Sequence, residues 1–182
     1  NRLKAALMDA AEAFDLIITC GGVSAGDKDF LPTLLRDAGK PIFWKIRMKP
    51  GMPVLFGELG RSVYLGLPGN PVSVLATFRQ LARPLLDAMQ SRSDVALPMR
   101  AKLRAPVSRS AGRREYRRGT LEVGMDGQLW VTPDPADGSH RLVAATRNNA
   151  LWVMDEQDAE LSAGDVVDTE AFAHILRGTA AP

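Results

Sequence analysis

The first half of the chain alternates helical and strand-like patterns of apolar residues. Leu3, Leu7, Met8 and Ala11 recur at the spacing of one helix face, which predicts a helix over residues 2–14. The next six residues, D-L-I-I-T-C, form the short apolar run that is typical of a strand buried on both faces. The same reasoning predicts a helix over 30–38, closed by a left-handed Gly39, and strands over 42–48, 54–56 and 62–67.

A third helix is predicted after the last of these strands. Asn70 is a strong helix N-cap, and Pro71 suits the first helical position because its missing N–H would have had no partner there. We expect this helix to run toward Gln90, with a kink or break at Pro84. The order of helices and strands predicts a three-layer α/β domain over residues 1–92.

The second half of the chain has short β patterns instead of helical ones. Residues 91–97 are polar and are followed by Pro98, which is typical of a linker. Asp126 and Gly127 predict a hairpin turn. Together these features predict a small all-β domain over residues 98–178, either a barrel or a sandwich. Its predicted strands are 99–107, 115–123, 128–132, 150–154 and 166–170.

Composition and charge restrict the class of protein. An apolar fraction of 46%, a charged fraction of 24% and a net charge of +2 are those of an ordinary globular protein, and they give little support for nucleic-acid binding. No apolar run approaches the roughly 20 residues that cross a bilayer. Cys20 is the only cysteine, so it has no partner for a disulfide within the chain. We therefore expect a cytoplasmic protein with no nucleic-acid or membrane partner.

A glycine-rich loop, G-G-V-S-A-G-D-K-D at residues 21–29, follows the predicted buried strand. The backbone N–H groups of such a loop can approach an anion closely, and ligands of open α/β sheets bind at the carboxyl ends of strands. A tight turn explains Gly21 and Gly22 equally well. Asp27 and Asp29 fit either helix capping or coordination of magnesium, which prefers carboxylate oxygens.

Two other groups in the first half have both a structural and a functional interpretation. The segment L-P-G-N-P at residues 67–71 is explained by a turn and a helix start, although its prolines could also hold a loop rigid beside a ligand. Lys45, Arg47 and Lys49 alternate along one side of a predicted strand, as a solvated basic face does. Lys49 also adjoins P-G-M-P, a bend that would suit an oxyanion site.

The second half contains an arginine-rich strand and a short polar motif. Arg114, Tyr116 and Arg118 share one face of the strand, so that one face could be functional and the other solvated. The motif G-S-H at residues 138–140 offers a hydroxyl and an imidazole, although a helix cap is its commoner meaning. The sequence lacks zinc-ligand spacing, a G-x-S-x-G elbow, a Walker loop and G-x-G-x-x-G, which disfavours zinc enzymes, α/β hydrolases and common nucleotide-binding enzymes.

The segments G-G-V-S-A-G-D-K-D-F, K-P-G-M-P and G-L-P-G-N-P-V-S, in this order, resemble the molybdopterin molybdenumtransferases and the related gephyrin E domain. The segments E-Y-R-R-G and G-S-H also look like that family, and the resemblance spans nearly the whole chain. It implies an α/β molybdopterin-binding domain followed by a small β-barrel domain. The implied reaction converts adenylylated molybdopterin and molybdate into molybdenum cofactor and AMP, with Mg²⁺ required and a homodimer formed by the full-length protein.

The resemblance also implies which residues form the site, position by position. Met52 departs from it, because many members have a second lysine there, and Asp27 stands where Glu is frequent. These departures concern how the site holds molybdate and magnesium. Catalytic roles are implied for Asp29, Lys45, Lys49, Arg118 and Ser139, and magnesium coordination for Asp29 and Asp27. Binding of molybdopterin is implied for Gly21, Gly22, Val23, Ser24, Pro68, Gly69, Asn70 and Pro71.

Two alternatives share part of this pattern. A molybdopterin adenylyltransferase would have the same α/β fold and a similar glycine-rich loop, but no trailing β domain. A non-catalytic molybdopterin-binding scaffold is the other. The chain begins at Asn1 inside a helical pattern and without an initiator methionine, so we expect a fragment that is inactive without its upstream neighbours.

Overall fold

A computed structural model describes residues 2–24, 30–92, 98–135, 148–172 and the backbone of 177–178. The chain divides into two compact units, Asn1–Arg92 and Ser93–Pro182, which are described separately. Within the described residues, every helix is too short or too polar to cross a membrane. The predicted sites at Asp27, Asp29 and Ser139 lie outside the described residues.

The first unit contains a four-stranded sheet in the order β1-β5-β4-β2. Strand β1 is parallel to β5, whereas β4 is antiparallel to both β5 and β2. Strands β1, β5 and β2 therefore run in one direction and end at the same edge of the sheet. The elements of this unit are α1 (Arg2–Ala13), β1 (Leu16–Cys20), α2 (Leu31–Ala38), β2 (Gly39–Trp44), β3 (Met48–Lys49), β4 (Leu55–Leu59), β5 (Ser62–Leu67), α3 (Pro71–Thr77), a π-helical segment (Phe78–Ala82) and α4 (Arg83–Met89).

Apolar side chains pack on both faces of this sheet. On one face Leu7 of α1 and Leu35 of α2 pack with Tyr64 of β5. On the other face Ala82 of the π-helical segment packs with Leu65, the residue next to Tyr64. Successive residues of β5 thus enter opposite cores, as strand geometry requires. The predicted three-layer α/β fold is confirmed.

Two local predictions for this unit are wrong. Gly39 does not close α2 in a left-handed conformation, because it is extended (φ −138°) and begins β2. Glycine is required there for space, since a Cβ atom on Gly39 would lie 2.3 Å from the carbonyl oxygen of Glu58. The predicted strand over 42–48 ends at Trp44, because Lys45 has a positive φ of 75°. Lys45, Arg47 and Lys49 therefore do not alternate along one strand.

The third helix changes its hydrogen bonding at Pro84 instead of stopping. Its middle segment, Phe78–Ala82, is π-helical, and the Arg83 N–H donates to the Phe78 carbonyl five residues earlier. Proline has no N–H to donate, and a π-helical turn is one way in which a helix absorbs such a defect. Where a kink or break was predicted, the helix therefore continues with a changed hydrogen-bond register.

The second unit is a five-stranded barrel. Its strands follow the order β10-β12-β6-β9-β8, and β8 pairs with β10 to close the ring. Only β6 and β9 are parallel within it. Strands β7 and β11 form a separate pair, and β13 pairs with β8. The elements are β6 (Met99–Leu103), β7 (Val107–Ser108), β8 (Arg114–Val123), β9 (Leu129–Pro133), β10 (Ala150–Met154), β11 (Glu160–Leu161), β12 (Val166–Ala171) and β13 (Arg177–Gly178).

The core of the barrel is built around the fully buried Trp152, with Leu121, Val131 and Leu103 from three other strands. A closed ring confirms the predicted barrel and decides against a sandwich. The hairpin turn predicted at Gly127 is confirmed, since Gly127 has a φ of 72° and joins β8 to β9. The predicted strand over 99–107 is wrong in length, because β6 ends at residue 103.

Candidate functional site

Three of the motifs found in the sequence lie at one edge of the first unit's sheet, which we call the carboxyl edge. Gly21 follows the end of β1, Pro68 follows the end of β5, and Lys45 follows the end of β2. These three strands run in the same direction, so the loops after them leave the sheet on the same side. The carboxyl ends of strands are where open α/β sheets bind their ligands.

The backbones of the first two loops touch each other. The N–H of Gly21 donates to the carbonyl of Leu67 at 2.9 Å. A Cβ atom built on Gly69 would lie 3.5 Å from the Cα of Gly21. Gly21 and Gly22 have φ values of 95° and 73°, a region that side chains with a Cβ rarely adopt. The glycine pair therefore allows both the turn and the close approach of the two loops.

Val23 and Ser24 differ in their exposure. The side chain of Val23 is buried, with 1% exposure, and lies over Gly66, where an added Cβ would come within 2.6 Å of Val23 Cγ1. The carbonyl of Val23 accepts a hydrogen bond from the indole Nε1 of Trp44 at 2.8 Å. Ser24 is exposed. Val23 is thus anchored on its apolar side, and Ser24 is accessible to a ligand.

The loop after β5 leads directly into α3. Pro68 is buried, whereas Gly69 and Pro71 are exposed. The Asn70 side chain accepts a hydrogen bond from the N–H of Val72 at 3.0 Å, which confirms the predicted helix cap. The cap uses the side-chain oxygen of Asn70, and the exposed Gly69 and Pro71 are accessible to a ligand.

The loop at residues 45–54 closes on itself. The N–H of Lys45 donates to the Val54 carbonyl, and the N–H of Ile46 donates to the Met52 carbonyl, both at 2.9 Å. The ammonium of Lys45 lies 4.5 Å from the centre of the Trp44 ring. A positive φ in a lysine costs energy that these contacts must offset.

Gly51 fixes the far end of the same loop to α3. It has a φ of 111°, and a Cβ atom on it would lie 2.3 Å from the methyl carbon of Thr77. Thr77 is fully buried, and its hydroxyl donates to the Ser73 carbonyl at 2.8 Å. Lys49 is exposed and lies two residues before Gly51. It therefore belongs to a loop whose far end is packed against α3.

In the second unit, Arg118 is buried in an ion pair. Its Nη2 lies 3.3 Å from Oδ2 of Asp134, and the two side chains are 3% and 9% exposed. The same carboxylate oxygen accepts a hydrogen bond from Nδ2 of Asn148 at 2.8 Å. The Arg118 carbonyl also accepts a hydrogen bond from the Trp152 indole at 3.1 Å. Arg118 is thus held in place by a carboxylate that sequence reasoning did not anticipate.

The neighbours of Arg118 on β8 have other partners. Arg117 lies over the Trp152 ring at 5.3 Å, and Arg114 lies 5.9 Å from the Tyr116 ring. Buried Glu115 pairs with Arg109, whose Nη1 lies 3.6 Å away. Of the three residues predicted to share one face, Arg118 is buried and Arg114 is exposed.

The two tyrosines of the chain have raised pKa values. Burial raises the pKa of Tyr64, and its hydroxyl shares a 2.7 Å hydrogen bond with Thr19 that lowers it in part. Burial likewise raises the pKa of Tyr116, against a lowering effect of Arg114. Both phenols are therefore neutral at physiological pH and are poor candidates for a general base.

Four residues that position the site were missed by sequence reasoning. Trp44 carried no signal beyond its place beside Lys45. Gly66 and Thr77 act by their size, and Asp134 pairs with a residue distant along the chain. Among the described residues, no group of three or more His, Cys, Asp or Glu side chains could hold a metal ion.

Comparison with known families matches both units. The family described as "Probable molybdopterin binding domain" matches residues 1–88, and the family described as "MoeA C-terminal region (domain IV)" matches residues 100–172. The boundary between the two matches falls where the structure divides into two units.

Individual relatives and solved structures agree. A molybdopterin molybdenumtransferase of Haemophilus influenzae is 38% identical over 173 residues, which are 94% of this chain and 43% of that protein. A gephyrin of Dictyostelium discoideum is 30% identical over 92% of this chain and 27% of its own length. The molybdopterin biosynthesis MoeA structure from Pyrococcus horikoshii superposes with a TM-score of 0.75 at 23% identity, covering 95% of this chain and 41% of that one. The chain thus spans less than half the length of these proteins. The chain belongs to the molybdopterin molybdenumtransferase family, of which it contains the molybdopterin-binding domain and the C-terminal β-barrel domain.

Proposed function

We propose that the full-length protein inserts molybdenum into adenylylated molybdopterin and releases molybdenum cofactor and AMP. One observation carries this proposal. The loops that start at Gly21, Lys45 and Pro68 share the carboxyl edge of one sheet, and direct contacts join them. The similarity to named molybdopterin molybdenumtransferases supports the choice of reaction.

The glycine-rich loop is proposed to bind the anionic end of the molybdopterin substrate through backbone donors. The Gly21 N–H already donates to Leu67, so the donors proposed for the substrate are those of Gly22, Val23 and Ser24. The exposed Gly69 and Pro71 are proposed to line the same site. Because Gly69 has no side chain and nearly touches Gly21, a substrate can lie against both loops.

Molybdate is a small dianion, and Lys45, Lys49, Arg118 and Ser139 are proposed to hold it by charge-assisted hydrogen bonds. The structure constrains the part played by Arg118, because Asp134 occupies one edge of its guanidinium group. A guanidinium group has five N–H donors, which is more than one carboxylate can use. Asp134 would then orient the guanidinium and also reduce its net attraction for anions.

Magnesium is proposed to bind at Asp29 with help from Asp27, since this hard cation prefers carboxylate oxygens. It would offset the charge that develops on the phosphate as AMP leaves. The described residues contain no group of three or more His, Cys, Asp or Glu side chains that could hold a metal ion, and Asp27 and Asp29 are the donors that we propose. A homodimer of the full-length protein, in the cytoplasm, completes the proposal.

The test is turnover by the full-length protein. Adenylylated molybdopterin, Mg²⁺ and molybdate are supplied, and both AMP and molybdenum cofactor are measured. Lys49→Met and Arg118→Lys should each lower the rate at limiting molybdate by about 10-fold or more, because each removes a charge-assisted or bidentate contact. Arg118→Lys is chosen over Arg118→Ala because the alanine variant would leave the buried Asp134 carboxylate without the charge of Arg118.

Matched controls come from the same chain. Lys40 is an exposed lysine near the start of β2, at the opposite end of that strand from Trp44, and its side chain is 74% exposed. Arg104 is an exposed arginine of the second unit that pairs with Glu122. Lys40→Met and Arg104→Lys should leave turnover unchanged. Absence of both products with wild-type protein, or equal rates for Lys49→Met and Lys40→Met, would overturn the proposal.

A further inference from the structure

We propose that Trp44 is a positioning residue that ties the glycine-rich loop to Lys45 at the carboxyl edge. This inference rests on the proposed function for its consequences, but its structural core can be tested independently. One side of the indole holds the Val23 carbonyl through its N–H, and its ring carries the Lys45 ammonium. The residue therefore contacts two motifs that are far apart in sequence and that the proposed reaction needs close together.

The first contact bridges most of the width of the sheet. Strands β1 and β2 are the two outer strands of the order β1-β5-β4-β2, so their ends are about 14 Å apart at the usual spacing of neighbouring strands. The loop after β1 nevertheless passes close enough for the Trp44 Nε1 to donate to the Val23 carbonyl at 2.8 Å. This hydrogen bond links the glycine-rich loop to the end of β2, the outer strand on the other side of the sheet.

The loop needs such a link because its own backbone is permissive. Gly21 and Gly22 are both in the left-handed region, where glycine retains many alternative conformations. Two contacts limit those alternatives at Val23: its side chain packs over Gly66, and its carbonyl is held by Trp44. The carbonyl contact sets the orientation of the peptide that joins Val23 to Ser24, and thus the direction of the Ser24 N–H.

The second contact concerns the lysine that follows Trp44. Lys45 ends β2 with a φ of 75°, and its N–H donates to Val54. This turn brings its ammonium back to 4.5 Å from the centre of the preceding indole ring. A cation over an indole face is held electrostatically while its N–H groups remain able to bond an anion. The indole thus limits the range of positions of a flexible side chain.

The exposure of Trp44 argues against a simple core role. Its side chain is 37% exposed, whereas Trp152, which does build a core, is fully buried. An exposed indole at the end of a strand contributes little to the two cores of the first unit, in which it is not a member. The hydrogen bond to the Val23 carbonyl and the contact with the Lys45 ammonium therefore explain the position of Trp44 better than core packing does.

The substitutions separate the two contacts in the full-length protein. Trp44→Phe keeps an aromatic ring under Lys45 but removes the N–H that donates to Val23. Trp44→Leu removes both the ring and the N–H donor. Trp130→Phe is the matched control, since Trp130 also donates its indole N–H to a side chain, Asp126, and also carries an arginine over its ring, Arg104 at 4.5 Å. Trp130 belongs to the second unit, whereas Trp44 belongs to the first.

The first measurement is amide hydrogen exchange of Gly21, whose N–H donates to the Leu67 carbonyl, without any substrate. Loss of one hydrogen bond should speed exchange there by about 2- to 10-fold in Trp44→Phe and Trp44→Leu. Exchange in Trp130→Phe should match wild type. Unchanged exchange in both Trp44 variants would overturn the link between Trp44 and the loop, whatever reaction the protein catalyses.

The second measurement is steady-state turnover, which separates positioning from general stability. Trp44→Phe should raise KM for adenylylated molybdopterin by about 2- to 10-fold, with KM for molybdate unchanged. Trp44→Leu should raise both constants, because it also releases Lys45. A parallel fall of kcat with unchanged KM, in proportion to the folded fraction, would overturn the positioning role. Wild-type protein without turnover would refute the proposed function, and the exchange result would still decide the role of Trp44.

Discussion

Gly51 offers a quantitative test of how the Lys49 loop is fixed. Replacement by Ala places a Cβ atom 2.3 Å from the methyl carbon of Thr77 and imposes a φ of 111° on a residue with a side chain. The methyl cannot rotate away freely, because the Thr77 hydroxyl donates to Ser73 at 2.8 Å. Backbone strain of about 1 to 3 kcal/mol and overpacking of similar size should together lower the free energy of unfolding by about 2 to 6 kcal/mol.

A second substitution separates these two causes. Thr77→Ser keeps the hydroxyl and removes the methyl, and by itself should cost about 1 kcal/mol. In the double variant the nearest atoms to the new Cβ would be the Ser73 oxygen at 3.7 Å and the Cβ of residue 77 at 3.8 Å, which are ordinary contacts. Only the strain at residue 51 should remain. The double variant should therefore be more stable than additivity predicts by about 1 to 3 kcal/mol.

The assay is urea unfolding of the 182-residue chain, followed by its helical circular dichroism. All helices of the described residues lie in the first unit, so this signal reports on that unit. Gly21→Ala calibrates the strain, since Gly21 has a φ of 95° and an added Cβ would have no neighbour closer than 3.8 Å. Additivity of Gly51→Ala and Thr77→Ser within about 0.5 kcal/mol would refute the packing argument.

Three further predictions follow from single residues. Lys45→Gly should be more stable than Lys45→Ala by about 1 kcal/mol, because residue 45 has a φ of 75°, which is unfavourable for a residue with a Cβ atom. Urea unfolding of the two variants checks this order of stability, and the reverse order would contradict it. Asn70→Ala should lower the free energy of unfolding by about 1 kcal/mol, because it removes the helix cap. Asn70→Asp should keep the cap but raise KM for the anionic substrate. Equal losses of stability in the two variants would be inconsistent with capping. The backbone N–H of Gln128, and to a lesser degree the Trp130 indole, lower the pKa of Asp126 below 3.8. Stability from this carboxylate is therefore present above that pH and lost as the pH falls through the lowered pKa, and Trp130 fluorescence should report an acid transition that Asp126→Asn abolishes.

Local chemistry accounts for what could be predicted from the sequence. The three-layer arrangement follows from helical and strand-like periodicity, and the start of α3 follows from the capping amide of Asn70. The turn at Gly127 follows from a dipeptide that favours positive φ. In each case neighbours within a few residues determine the conformation, so no knowledge of the rest of the fold is needed.

Contacts between distant residues account for what could not be predicted. Closure of the barrel depends on pairing Leu151 with Arg118, which lie on strands separated by β9 in sequence. The end of β2 at Trp44 depends on the turn at Lys45, which is held by Val54. The periodicity of residues 42–48 fits a longer strand just as well. Only tertiary contacts decide between these two conformations.

Departures from regular backbone geometry in the first unit concentrate at the carboxyl edge. Gly21, Gly22, Lys45 and Gly51 all have positive φ values. The Gly21 N–H donates to Leu67, the Lys45 N–H donates to Val54, and Gly51 lies against Thr77. Among these four residues only Lys45 is strained, because glycine adopts positive φ readily. Such strain costs stability and is retained where function requires a fixed geometry.

Relief of that strain should therefore separate stability from activity. A glycine at residue 45 removes an unfavourable φ and also removes the ammonium over the Trp44 ring. If the carboxyl edge were only a structural junction, the folded Lys45→Gly protein would be as active as wild type. If the edge is the binding site that we propose, the same change should leave the fold stable and reduce turnover, because the strained backbone serves to place the lysine.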